Sequence, residues 1–159
     1  MRISEQLFPR IVVLITTTNK KGKPNVMTAS FVMPLSFDPK YVAFAIGGDR
    51  LTFKNLREVP EFGLNILKEN MKKEAEICGS YSGVEKNKFE LANLVVEDSK
   101  FIRPPLIKYC PISFECKVEE MKKFGDHYLV VGKVVNEKIR EIDFRPLLHK
   151  AKGEFPKIC

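Results

Sequence analysis

The run Ile11-Val-Val-Leu-Ile-Thr-Thr-Thr18 constrains the fold more than any other part of the chain. All but Leu14 are β-branched; such side chains lose freedom in a helix and pack well on a pleated surface, so the run reads as a strand. Asn19-Lys-Lys-Gly22 follows as a short hairpin loop, which places a partner strand from Lys23 onward. That partner, Pro24 to Ser30, carries Val26 and Met27 and then gives way to small polar residues, Thr28-Ala29-Ser30. From Phe31 to Pro39, Pro34, Pro39 and Asp38 break regularity, and Tyr41-Val-Ala-Phe-Ala-Ile46 resumes as a largely buried strand ending at Gly47-Gly48. Three strands are thus expected before residue 50.

Helical spacing first appears from Thr52 to Glu58, where Phe53 and Leu56 lie three apart, Thr52 stands as the N-cap and Pro60 ends the segment. Glu61 to Ile66 reads as a strand. Met71 to Cys78 and Glu85 to Ala92 read as short helices on either side of a loop, Gly79-Ser-Tyr-Ser-Gly83. Beyond Pro104-Pro105, Ile112 to Val118 and His127 to Val135 read as strands, separated by a Lys-rich turn ending in Gly125-Asp126. The tail from Arg145 looks irregular. Parallel strands need long crossover helices, which are missing here. Many short strands with a few inserted helices predict a mainly β protein, a closed or nearly closed antiparallel barrel. At 159 residues the chain is expected to be one domain, residues 1–159.

Charge narrows the partners. Lys plus Arg is 27 against 20 Asp plus Glu, a net +7. This suits a polyanion or a phosphorylated small molecule, and equally a heat-adapted surface of mixed ion pairs, for which a lone glutamine, Gln6, also speaks. Single-stranded nucleic acid needs aromatics interleaved with basic residues; here phenylalanines fall mostly in apolar runs and Trp is absent, so no nucleic-acid partner is expected. No apolar run approaches a membrane span or a signal segment, so a soluble, cytoplasmic protein without a membrane partner is expected. Cys78, Cys110, Cys116 and Cys159 contain no C-x-x-C, and His127 and His149 form no cluster with them, so no metal site is expected, and Cys78 and Cys116 read as small core fillers.

The common nucleotide-binding, zinc-protease and serine-hydrolase motifs are missing. Asp126 and His127 are adjacent, and on a strand their side chains would point to opposite faces, which forbids a triad-style pair between them. Anion-binding parts remain. Arg50 and Thr52 stand two apart at the start of a predicted helix, where a guanidinium, a hydroxyl and free backbone N–H groups suit a phosphate; the plainer alternative is a surface arginine beside an N-cap threonine. Thr28-Ala29-Ser30 would let backbone donors approach a flat polar ring, or is a simple strand end. Ser82-Gly83 with Lys86 and Lys88 adds donors, or is a solvated charge run.

Six patches, in order, resemble one family: Asn25-Val-Met-Thr-Ala-Ser30, Val32 to Pro39, Arg50-x-Thr52, Glu61 to Leu67, Ser82-Gly83 followed by Lys88-Phe89, and Gly125-Asp-His-Tyr-Leu-Val-Val-Gly132. Over roughly residues 8 to 150 the chain is similar to the flavin reductase-like family of FMN-binding split-barrel proteins, which has flavoredoxin-type and ferric-reductase-type members. The resemblance implies a six-stranded Greek-key split barrel, a homodimer, and noncovalent FMN near the subunit interface. By the same resemblance, Met27, Thr28, Ala29 and Ser30 would line the isoalloxazine and ribityl chain. Arg50 and Thr52 would hold the phosphate, completed by Ser82, Gly83 and Lys88. His127 would stand near the flavin face where a nicotinamide docks. Family members often carry an acidic residue before the lysine of the Lys-Phe pair, whereas here Asn87 precedes Lys88. The implied activity is an FMN-dependent oxidoreductase passing hydride from NAD(P)H to flavin, and on to free flavin, ferric iron or a partner protein. Two rivals stand beside it: a flavoredoxin-like electron carrier with no NAD(P)H site of its own, and a basic nucleic-acid-binding barrel.

Overall fold

A computed structural model describes residues 1–151 and 153–157; Cys159 lies outside the described residues. After one helical turn, α1 (Ile3–Gln6), the β-branched run divides into β1 (Arg10–Ile11) and β2 (Val13–Thr18). Every residue of β2 is buried. Its successive side chains point to opposite faces, and each face has its own core. Val13 and Ile15 pack with Phe44, Phe62, Leu64 and Val130 inside the barrel, while Leu14 packs on the other side with Val26, Leu67, Ala75 and Ile107. A strand covered on both faces carries a continuous apolar run rather than an alternating one, which is the pattern of Val13–Ile15, whereas Ile11 on β1 stays exposed.

The chain continues through β3 (Pro24–Ala29), β4 (Val32–Phe37), β5 (Lys40–Gly47), α2 (Leu51–Glu58) and β6 (Glu61–Ile66). A 3-10 turn at Glu69–Met71 leads into α3 (Lys72–Ser80), followed by α4 (Lys88–Leu91), β7 (Val96–Glu97) and β8 (Leu106–Ile107). The long hairpin of β9 (Ile112–Phe124) and β10 (His127–Ile139) and the short β11 (Leu148–His149) complete it. Seven strands form one antiparallel sheet in the order β3-β2-β6-β9-β10-β5-β4. The edge strand β3 comes back into contact with β5, and just beyond β3 the carbonyl of Phe31 accepts from Ala45 N at 2.9 Å. The sheet therefore curls into a barrel with a split, the mainly β architecture expected, although with seven strands rather than six.

The seventh strand is β4, in the segment expected to be irregular. Pro34 is tolerated because β4 is the sheet's other edge and its register shifts between Pro34 and Ser36, where a missing ladder donor costs little. Other expectations need correction. The Lys-rich segment before Gly125 is not a turn: β9 runs on to Phe124, its lysines on the exposed end of a two-stranded ribbon, and only Gly125-Asp126 turn, Gly125 with φ +58°. The helix expected over Glu85–Ala92 is the single turn α4, capped at its start by Asn87, whose side chain accepts from Phe89 N. Gly79 and Ser80 end α3 rather than beginning a loop. The tail contributes β11, which pairs with β1. Among the described residues no helix is long and apolar enough to cross a membrane.

Candidate functional site

Beside the split, β3 and its connection to β4, the end of β5 with the β5–α2 corner, the end of α3 with the α3–α4 connection, and the start of β10 surround a cavity of about 610 Å3. Ten of the residues singled out from sequence line it: Met27, Thr28, Ala29 and Ser30 from β3 and its end, Arg50 and Thr52 from the α2 corner, Ser82 and Gly83 from the α3–α4 connection, Lys88 from the start of α4, and His127 from β10; Lys86, grouped with Lys88 as a donor, is exposed and lies outside it. A volume of this size holds a small-molecule ligand or cofactor.

The cationic wall is built by burial. Lys88 is 5% exposed. Its ammonium donates to the carbonyl of Cys78 at 3.3 Å and has no carboxylate partner among the described residues. Burial holds its pKa below the usual lysine value; the Cys78 thiol opposes that drop and the Arg50 guanidinium adds to it. A buried cation with one neutral acceptor is incompletely satisfied, and an anion in the cavity would complete it. Arg50 itself is exposed, with only a loose 3.9 Å contact from Nε to Asp49. It is the backbone N-cap of α2, without a side-chain capping bond, so Thr52, expected at that position, is the second helical residue.

Thr52 is fully buried and its Oγ1 accepts from Asn25 Nδ2 at 3.0 Å. One turn on, Asn55 Nδ2 donates to Thr17 Oγ1 at 3.1 Å. These two Asn–Thr bonds tie the inner face of α2 to β3 and β2 and fix the corner that presents Arg50. Gly83 packs so closely on β3 that a Cβ there would overlap Asn25 Oδ1. Thr28 faces α3, and its hydroxyl donates to the Ala75 carbonyl at 2.6 Å. Met27 and Ala29 pack with the barrel core. As an edge strand, β3 leaves alternate backbone donors unused by the ladder.

At the start of β10, His127 Nδ1 lies 2.7 Å from Asp126 Oδ1. This overturns the expectation that the pair cannot meet: Asp126 lies in the turn, not on the strand, so strand alternation does not apply to it. The bond to His127 holds the Asp126 carboxyl below the usual carboxylate range. An ionised carboxylate only accepts, so it fixes the proton on Nδ1 and leaves Nε2 for another partner. The imidazole stacks on Phe31, ring centroids 5.6 Å apart, and Phe31 also carries the Arg10 guanidinium 5.5 Å from its centroid.

Cys78 lines the same cavity, but burial pushes its thiol up to about 12, so it stays protonated at neutral pH and fills space. Sequence reasoning gave Asn25, Phe31 and Asp126 no part in the site. Asn25 stood within the quoted run Asn25–Ser30, yet nothing local marks its reach to Thr52. No cluster of His, Cys, Asp and Glu suited to a metal ion occurs among the described residues.

Comparison with known proteins agrees with this architecture. A family model described as "Flavin reductase like domain" matches residues 5–158. An uncharacterized protein of Archaeoglobus fulgidus is 37% identical over 132 residues, covering 83% of this chain and 73% of that protein. Among solved structures, flavoredoxin from Methanosarcina acetivorans superposes with a TM-score of 0.86 at 24% identity, covering 100% of this chain and 91% of that one. The NADH:FAD oxidoreductase SgcE6 of Streptomyces globisporus superposes at 0.85 with 22% identity, covering 96% and 87%. At these identities the structural likenesses speak for the fold, and the family match spans nearly the whole chain: the protein belongs to the flavin reductase-like family.

Proposed function

We propose that the chain binds FMN in the 610 Å3 cavity and acts as an oxidoreductase, taking hydride from NAD(P)H and delivering electrons to free flavin, ferric iron or a partner protein. One observation carries this reading: the buried Lys88 ammonium lines the cavity with a single carbonyl partner, so the site calls for an anion. The residues fit a flavin phosphate. Lys88 supplies the desolvated charge, Arg50 a forked donor at the exposed rim, and Thr52 and Ser82 hydroxyls. Met27 and Ala29 offer apolar contact to a flat ring, and the free edge of β3 offers backbone donors to its polar edge.

When bound, the flavin supplies the redox chemistry, accepting hydride and passing electrons on. The chain's part is to orient and tune. His127, held by Asp126 and stacked on Phe31, presents Nε2 at the rim for an amide such as that of a nicotinamide. No acid–base pair is required of the protein.

A homodimer belongs to the same reading. Ile3, Leu7, Met33 and Leu129 surround a second, apolar hollow of about 330 Å3. It shares Ser30, Phe31 and Ala45 with the main cavity. A second copy seated there would bury an exposed apolar patch and reach the rim of the site. The described cysteines, Cys78, Cys110 and Cys116, are free thiols, which suits the reducing cytoplasm.

The deciding experiment is the visible absorption spectrum of the purified protein titrated with FMN and with FAD, before and after anaerobic NADH or NADPH. The expected result is a yellow FMN complex that bleaches with one of the nicotinamides. Tight FMN that neither nicotinamide bleaches would point to the flavoredoxin-like carrier, and failure to bind either flavin at micromolar concentration would overturn the proposal.

A further inference from the structure

Two observations converge on a residue outside the phosphate-binding set. Thr52 Oγ1 accepts from Asn25 Nδ2 at 3.0 Å, and both side chains are more than nine-tenths buried. A hydroxyl has one proton and two lone pairs. With a lone pair taken by the Asn25 amide and no acceptor for the proton among the described residues, the Thr52 hydroxyl has an unspent donor, and it lines the cavity. The second observation is steric. Asn25 Oδ1 sits so close to Gly83 that the glycine has no room for a Cβ, so the amide is clasped between α2 and the α3–α4 connection.

We propose that Asn25 is a positioning residue that sets the polarity of Thr52. By donating to Oγ1 it commits the hydroxyl proton to the cavity, making Thr52 a donor toward the anionic end of the ligand and an acceptor toward the protein. An oxygen in place of Nδ2 would take that proton and turn lone pairs toward the phosphate. The inference rests on the flavin reading above and specifies how the phosphate, as opposed to the ring, is recognised.

The test measures binding of FMN and of riboflavin, which lacks the phosphate, by flavin fluorescence quenching in the wild type and in Asn25→Ala, Thr52→Val and the double variant. The expected result is a loss of about tenfold in FMN affinity for Asn25→Ala, with riboflavin affinity unchanged. In the Thr52→Val background the same Asn25 substitution should cost nothing more, because the two act through one bond. Asn25→Asp preserves the side-chain shape and carries the test should the alanine variant fail to fold; it is expected to weaken FMN further while sparing riboflavin. Parallel loss of both flavins would mean that Asn25 merely holds the fold, and an undiminished Asn25 effect in Thr52→Val would break the link to the hydroxyl. Either result overturns the assignment while leaving the flavin reading intact. Wild-type protein that binds neither flavin would overturn both.

Discussion

Lys88 and Arg50 exchange rank between sequence and structure. By spacing, Arg50 beside Thr52 is the better phosphate ligand and Lys88 resembles one more solvated lysine. In the fold Arg50 is largely exposed, while Lys88 is buried beneath the α3–α4 connection. Burial of one lysine among 27 basic residues is decided by packing between α3, α4 and β3 and leaves no local trace. Asp126 leaves no local signal of its role for a related reason: its pairing with His127 depends on where a turn becomes a strand. Lys88→Met should lower FMN affinity about 10- to 100-fold with riboflavin nearly unaffected, since a charge-assisted bond is lost. The flavin-free variant should melt no lower than wild type, because an apolar side chain replaces an incompletely paired buried charge. The pH dependence follows from the depressed lysine pKa. In flavin-free protein the unfolded chain keeps a proton that the folded chain has lost, so stability rises with pH over a window ending near 10.5. A bound phosphate favours the charged form, so FMN affinity should fall as pH climbs through that window, and Lys88→Met should abolish the fall. His127→Ala should lower kcat/KM for the nicotinamide while leaving FMN affinity within about threefold, if its contact is with the reductant alone.

At the scale of elements, β2, β3, β5, β6 and α2 were legible because each carries a local signal: β-branching, a hairpin loop, a helical period ended by Pro60. β4 was not, since Pro34 signals a break unless the strand lies at an edge, and edge position is a property of the sheet. The lengths of β9 and β10 were not legible either, as their outer halves are exposed and charged, held by pairing with each other. The buried Glu115 on β9 anchors the segment before β8, accepting from Lys100 N at 2.9 Å and Phe101 N at 2.6 Å, and it accepts from Asn136 Nδ2 at 2.9 Å across the hairpin. Burial raises its pKa, but these donors outweigh that and hold the carboxyl below 4.5. A depressed carboxylate stabilises the fold above its unfolded pKa, and the benefit is lost as pH falls through the folded value. Glu115→Gln, which replaces an acceptor by a donor, should cost about 1–3 kcal/mol at neutral pH and flatten the acid side of the stability profile, read from chemical denaturation between pH 3 and pH 7.

Across the whole molecule, the site is an assembly of sequence-distant walls, legible as separate patches and joined only by the curl that brings β3 back to β5. The apolar hollow bounded by Leu7 and Met33 predicts a dimer in solution; Leu7→Glu with Met33→Glu should yield a monomer by sedimentation equilibrium, whereas a wild-type monomer would remove the second chain from the proposed site. The two-sided burial of β2 has a further consequence. Val13 and Leu14 are neighbours in sequence yet report on different compartments, so a methyl probe placed at each would sense distinct halves of the molecule as it loosens. With no solvent on either side, the amides of this strand should be among the last to trade protium for deuterium, and their exchange would mark the free energy of complete unfolding rather than of local breathing.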